Sequence, residues 1–212
     1  MLVDALILAG GRSMRLDSIP KASLSYRGQS LLQNTVSAVS ELRTVVVGGV
    51  ASQALPTDVL VCREDPPFGG PAAGVGAGLD TLSSSGASGS DFTIVLACDM
   101  PGVVDVVPLL LRAVHGAADS SAVDGVIAVD PEHRLQPLAA AYRTASLLLA
   151  VERQRRAGSL SGLSMFQLIR ELTLLELQIP DRATSDVDTW ADAADWGIEH
   201  PDTGDSNTKE WQ

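Results

Sequence analysis

Ala5-Leu6-Ile7-Leu8-Ala9-Gly10-Gly11-Arg12-Ser13-Met14-Arg15, followed six residues later by Lys21, is the stretch that decides the fold. Its apolar start, Ala5–Leu8, has no polar alternation, which is the habit of a strand covered on both faces. Adjacent glycines then let the backbone turn tightly and bring consecutive N–H groups to one point, where they can bond phosphate oxygens. An ordinary strand-to-helix turn also uses Gly-Gly, but it has no need of three cations, and Arg12, Arg15 and Lys21 bring three to this loop. The spacing is neither the G-x-G-x-x-G dinucleotide fingerprint nor a P-loop ending in Gly-Lys-Ser/Thr.

Outward from this stretch, short apolar runs alternate with segments of helical period, the pattern of a parallel sheet with crossover helices. Strands are expected at Ala5–Leu8, Thr44–Val47, Val59–Cys62, Phe92–Ala97 and Gly125–Val129, with weaker signals at Leu138–Tyr142 and Leu174–Gln178. Helices are expected at Leu31–Val39 with Ser30 as N-cap, and at Ala72–Leu82 with Pro71 in the first position. Three more should cover Val104–Val114, Ala145–Arg156 and Leu163–Leu172. The fold class is therefore α/β, a three-layer αβα sandwich on a mostly parallel sheet. The Ser/Gly-rich run Ser83–Ser90 reads as a surface connection. One domain is expected over residues 1–198, with an acidic, disordered tail at 199–212.

The chain has 212 residues, 15 basic and 26 acidic side chains and a net charge of −11, a poor match to nucleic acid or an anionic membrane surface. Most of that charge lies beyond Asp181, so the body is close to neutral. No apolar run is long enough to span a bilayer, and Met1-Leu2-Val3-Asp4 lacks the basic start of a signal peptide, so the expected location is the cytoplasm. Cys62 and Cys98 each close an apolar run and read as strand residues rather than a disulfide or metal pair. His115, His133 and His200 have no ligand spacing.

Three further segments carry chemistry. Arg63-Glu64-Asp65-Pro66-Pro67-Phe68-Gly69-Gly70-Pro71-Ala72-Ala73-Gly74 leaves a strand and opens a helix. It is either a plain connection or a loop holding base or ribose, with Gly69, Gly70 and Gly74 keeping side chains clear. In Val95-Leu96-Ala97-Cys98-Asp99-Met100-Pro101, Asp99 stands at the carboxyl end of a buried strand, where open parallel sheets place ligands. A hard oxygen there suits Mg²⁺ held against phosphates; the alternative is a helix cap. In Ser185-Asp186-Val187-Asp188-Thr189-Trp190-Ala191-Asp192, two carboxylates two residues apart point the same way if the chain is extended. Asp188 or Thr189 could equally cap a helix starting near Trp190.

Taken in order, these segments resemble the molybdenum cofactor guanylyltransferase (MobA-like) family of nucleotidyltransferases. Leu8–Arg15 with Lys21 matches the family pattern L-A-G-G-x-S-x-R…K. Asp65-Pro66 through Gly70–Gly74 matches D-P…G-P-x-A-G, and Cys98–Pro101 matches C-D-x-P. Asp186–Asp192 resembles the late N/D-V-N/D-T-P-x-D segment, and Gln136-Pro137-Leu138 with Tyr142-Arg143 resembles a substrate-side strand. The likeness covers about residues 3–197. It departs in three places. Asp17 stands where the family has glycine, which puts an anion near a phosphate path. Gly48 replaces an asparagine that contacts nucleotide. Trp190 replaces the proline after Asp-Val-Asp-Thr, a change expected to matter little.

The resemblance implies a Rossmann-like nucleotidyltransferase (GT-A-like) fold and transfer of GMP from GTP to the terminal phosphate of molybdopterin, releasing pyrophosphate. It implies Mg²⁺ on Asp99, with Asp188 as second ligand, and Lys21 and Arg15 neutralising the triphosphate and the departing pyrophosphate. Leu8, Ala9, Gly10 and Gly11, with Gly70, would cradle the nucleotide, and Asp65 would contact ribose or base. GTP and molybdopterin are the small-molecule partners, with transient contact to other molybdenum cofactor proteins, as a monomer or homo-oligomer. Alternatives are a related enzyme with another nucleotide or acceptor (a molybdopterin cytidylyltransferase, or a guanylyltransferase of phosphoenolpyruvate or phospholactate) and a non-catalytic nucleotide-binding module.

Overall fold

The computed structural model describes residues 1–11, 14–17, 19–49, 55–86, 89–118, 120 and 122–200. Arg12 and the expected tail from residue 201 onward lie outside them. In chain order the elements are β1 (Val3–Leu8), β2 (Ser25–Tyr26), β3 (Gln29–Ser30), α1 (Leu31–Ala38), β4 (Arg43–Val47), β5 (Leu60–Cys62) and α2 (Pro71–Ser84). Then follow β6 (Phe92–Ala97), α3 (Val103–Ala117), β7 (Gly125–Val129), β8 (Leu135–Arg143), α4 (Thr144–Ala157), α5 (Met165–Ile169), β9 (Leu174–Gln178) and α6 (Trp190–Asp195).

Seven strands form one sheet in the order β5-β4-β1-β6-β8-β7-β9. All run parallel except β8, which is antiparallel to both β6 and β7. The exception follows from chain connectivity: β8 is joined to β7 by a short turn, and a short turn can return only an antiparallel strand. β8 is longer than the expected strand Leu138–Tyr142, since Gln136 and Pro137 interrupt its apolar character. The small β2–β3 ladder was not anticipated; Arg27 and Gly28, both with positive φ, make its turn.

Successive residues of a strand face opposite sides, and the core divides accordingly. Ala5 and Ile7 pack with Val46, Phe92, Ile94 and Leu96 under α1 and α3, while Leu6 packs with Val45, Val47 and Val95 under α2, α4 and α5. These are the expected three layers. Ser30 caps α1 reciprocally with Gln33, as the sequence proposed for its N-cap. Buried Asp4 receives a two-pronged pair from Arg43 (2.9 and 2.5 Å), a structural ion pair at the amino ends of β1 and β4. Cys98 is buried and Cys62 half-buried, both as free thiols. No helix among the described residues is long and apolar enough to cross a membrane.

A third, smaller core sits beyond the sheet. Leu16, Leu24, Tyr26 and Leu31 pack there against Val187, Ala193 and Ile198. Each fully buried leucine is worth roughly 1.5–3 kcal/mol. Those contacts join the segment after the glycine turn to the segment containing the late aspartates.

Candidate active site

β1 and β6 are adjacent and in register, Leu8 opposite Ala97, so the glycine turn and the loop bearing Asp99 leave the sheet side by side. The Ala9 N–H donates to Val47 (2.8 Å) and the Cys98 N–H to Leu8 (3.1 Å), fixing the start of both loops. The chain moves to β4 on one side of β1 and to β6 on the other, which makes their carboxyl ends a crevice of the kind that binds ligands in open sheets. A cleft of about 1270 Å³ lies there, its floor formed by Leu8–Gly11, Lys21, Val47 and Cys98–Met100.

Three carboxylates meet in it. One oxygen each of Asp99, Asp186 and Asp188 lies within 4.8 Å of the others. Local sequence explains the convergence. Val187 is wholly buried in the third core and its N–H donates to the Asp99 carbonyl (2.9 Å), so period-two alternation turns Asp186 and Asp188 to the other side. Thr189, not Asp188, caps α6: its hydroxyl accepts from the Asp192 N–H (3.2 Å), and Asp192 reciprocates at the Thr189 N–H (2.7 Å). The capping alternative for Asp188 is thereby overturned, and its side chain is directed to the carboxylate cluster.

Lys21 reaches the same cluster. Its Nζ donates to Asp99 Oδ2 (2.8 Å) and also pairs with Asp188 Oδ1. Burial by itself would lower the Lys21 pKa, but the charges and hydrogen bonds of Asp99 and Asp188 prevail and push it up to about 12. Arg15 is exposed, with Nη1 3.8 Å from Asp188 Oδ2. Desolvation, aided by the Asp188 and Asp99 charges, raises the pKa of Asp186. Three hard oxygens around one point form a donor set suited to Mg²⁺.

The other expected residues divide. Leu8, Ala9, Gly10, Gly11, Gly70 and Asp99 all line the cleft. Asp65 is exposed and is not among its lining residues; its neighbour Glu64 is, with Oε1 accepting the Phe68 N–H (2.9 Å). Tyr142 and Arg143 turn away: the tyrosine hydroxyl donates to Pro137, and the Arg143 guanidinium lies 4.9 Å over the Phe92 ring and donates to Ser120 (3.1 Å). Gln136–Leu138 do line the cleft.

Asp186 was not expected among the metal ligands, nor were two exposed phenylalanines, Phe68 and Phe166, expected to line the cleft. Large apolar side chains exposed at a cleft in a chain with 4% aromatics were the available signal.

Two of the three departures from the family pattern acquire a structural reason. Gly48 has a φ of +153°, and a Cβ there would lie 2.6 Å from the Ala9 carbonyl oxygen, so this turn accepts no side chain. The Arg63 guanidinium lies within 4 Å of where a Cβ on Gly49 would be, and 5.3 Å from the Phe68 ring centre. Gly48→Asn is accordingly expected to lower stability by about 1–3 kcal/mol rather than add a nucleotide contact. An unchanged thermal midpoint with tighter nucleotide binding would contradict this. Asp17, in turn, is not among the residues lining the cleft: its carboxylate accepts from Trp190 Nε1 (2.8 Å).

The family model described as the MobA-like NTP transferase domain matches residues 5–169. A protein of Rhodopirellula baltica named "Probable molybdenum cofactor guanylyltransferase" is 34% identical over 203 residues, covering 88% of each chain. Among solved structures, molybdopterin-guanine dinucleotide biosynthesis protein A from Archaeoglobus fulgidus superposes with a TM-score of 0.65 at 19% identity, over 91% of this chain and 96% of that one. The 2-C-methyl-D-erythritol 4-phosphate cytidylyltransferase of Thermus thermophilus gives 0.63 at 18% identity, over 93% and 100%. These two show the fold, and the extent of the family match with the R. baltica relative shows the kinship: the chain belongs to the MobA-like NTP transferase family.

Proposed function

We propose that this nucleotidyltransferase transfers GMP from GTP to the terminal phosphate of molybdopterin and releases pyrophosphate. The observation that carries the reading is the meeting of Lys21 with Asp99, Asp186 and Asp188 beside the Gly10–Gly11 turn, in one cleft at the carboxyl ends of β1 and β6. The name of the R. baltica relative supports the choice of nucleotide and acceptor.

The reaction is an in-line displacement at the α-phosphorus. A phosphomonoester has its second pKa near ~6, so the attacking oxygen is already ionised and needs no general base. The barrier is the approach of two anions, and the protein's task is to supply positive charge and fix geometry. Asp99, Asp186 and Asp188 would hold Mg²⁺, which when bound neutralises phosphate charge and orients the transferring group. Lys21 is anchored on Asp99 and Asp188 at the same spot, so its ammonium is presented to a triphosphate laid along the glycine turn. Arg15, on the solvent side of Asp188, is placed to meet the departing pyrophosphate. Main-chain N–H groups of Gly10 and Gly11, with the half-open Gly70, would approach phosphate and base without side-chain obstruction.

Thermal denaturation with GTP, CTP, UTP or ATP, each with Mg²⁺, tests nucleotide choice. GTP near a hundred times its Kd should contribute about 2.7 kcal/mol. For a chain of this length that is an upward shift of roughly 5–10 °C. GTP is expected to give the largest shift, and pyrophosphate release should then require molybdopterin. A larger shift with CTP would move the assignment to a cytidylyltransferase. Nucleotide binding without pyrophosphate release on any phosphorylated acceptor would identify a binding module instead.

A further inference from the structure

The segment between the glycine turn and Lys21 and the segment between Asp186 and His200 are far apart in sequence, yet a small polar cluster fastens them together outside the cleft. Asp17 Oδ2 accepts from Trp190 Nε1 at 2.8 Å and lies 3.4 Å from His200 Nε2. The Trp190 and His200 rings are 4.2 Å apart, centre to centre. Nothing in a catalytic assignment uses these three side chains.

Backbone geometry at Asp17 makes the contact more than incidental. Its φ is +52°, the left-handed region that an L residue adopts at a cost and that favours glycine. An aspartate tolerates it better than most residues, but some interaction must offset the strain. Trp190 opens α6, in the first helical position, where proline rather than a large aromatic is the favoured occupant. The two residues at which this chain departs from the family pattern on either side of the site are therefore bonded to each other. The hydrogen bonds from Trp190 and His200 hold the Asp17 carboxyl below the usual range, as expected of a carboxylate with two donors.

The cluster also has leverage. Asp17 is four residues before Lys21 and two after Arg15, and Trp190 is two after Asp188. Fixing Asp17 to Trp190 therefore fixes the cationic loop against the carboxylate segment, beside the small core that holds Leu16 and Val187. We propose that Asp17, Trp190 and His200 are positioning residues that clasp the Lys21 loop to the Asp186–Asp188 segment and so preorganise the site for a nucleotide triphosphate. The clasp contributes to binding, by removing the cost of ordering the loop, and leaves the chemical step to Lys21 and the aspartates.

As a contribution to substrate binding, the inference rests on the nucleotidyl-transfer reading, and its test separates the two. Trp190→Phe keeps an aromatic ring, though a smaller one, and removes the N–H; Asp17→Gly removes the acceptor and relieves the left-handed strain. Each is expected to raise the KM for GTP with Mg²⁺ about 5–10-fold, the scale of one ordinary solvent-exposed hydrogen bond, with kcat within about twofold. Asp17→Asn keeps an acceptor oxygen and should restore most of the loss. The Asp17→Gly, Trp190→Phe double variant should be no worse than Asp17→Gly alone, since that change already removes the bond that Trp190→Phe deletes. Asp17→Gly should melt no lower than the unaltered protein, which separates positioning from global stability. Unchanged KM in both single variants, or additive losses in the double, would overturn the clasp. If the unaltered protein shows no transfer, the functional reading fails while the clasp is still decided by hydrogen exchange with Mg²⁺ alone. Faster exchange at Leu16 and Ala22–Leu24 in both variants supports it, and unchanged exchange refutes it.

Discussion

Asp99→Ala is expected to abolish pyrophosphate release, lowering turnover by more than about 10³-fold. The carboxylate occupies the centre of the arrangement: it stands at the start of the loop after β6, bonds Lys21 at 2.8 Å, and its backbone carbonyl holds the Val187 N–H between Asp186 and Asp188. Removing the side chain would take one of three oxygens from the proposed divalent cation and takes one of the anchors from Lys21. A metal acting as Lewis acid on a phosphoryl oxygen is worth several kcal/mol, and each ~1.4 kcal/mol is tenfold in rate. The backbone link to Val187 survives the substitution, so the fold should persist; circular dichroism and melting would verify that. Turnover above a tenth of the original, in a folded Asp99→Ala protein, would remove Asp99 from the metal site and with it the proposed reaction.

Lys21→Met should cost roughly 10²–10³ in kcat/KM, the usual consequence of removing one charge-stabilising donor at a transition state. Methionine keeps the length of the stem, so the loss belongs to the ammonium. A second effect has the opposite sign. Lys21 holds Asp99 and Asp188 as ion-pair partners, so a divalent cation has to compete with it for the same oxygens. Lys21→Met should bind Mn²⁺, used as a spectroscopic substitute for Mg²⁺, more tightly than the unaltered protein while catalysing worse.

Because its pKa is pushed up to about 12, Lys21 stays charged through the whole working range, and no alkaline activity limb below pH 10 should belong to it. The sign for stability follows from the same shift. With the folded value above the unfolded one, near ~10.5, the pair's contribution is complete below the unfolded value and is lost as pH rises through about 12. Near-original kinetics for Lys21→Met would contradict the phosphate role, and weakened Mn²⁺ binding would contradict the shared position.

The layered fold was legible because its signals are local. Phe92–Ala97, Gly125–Val129 and Leu174–Gln178 are strands over the residues their apolar runs suggested, and Ser30 announces α1 through a cap that needs only its neighbours. The orientation of β8 was not, since it depends on the length of the turn behind it rather than on its own composition. Asp99 was legible from its place at a strand end. Asp186 was passed over because its orientation is set by Val187, whose burial depends on Leu16, Leu24 and Ile198, contributed from far along the chain. Nor could spacing reveal that Lys21 would lie on carboxylates 78 and 167 residues away. Glu64 and Asp65 are adjacent acids in one loop, and only the course of the backbone decides which of them faces the cleft.

The satellite core beneath the site gives the molecule an unusual vulnerability. Its apolar residues make no chemistry, yet the segment leading to and from Lys21 and the segment carrying Asp186 and Asp188 both rest on it. A methyl group lost at Ile198 or Leu24 would change the spacing between opposite charges as much as it would change the melting temperature.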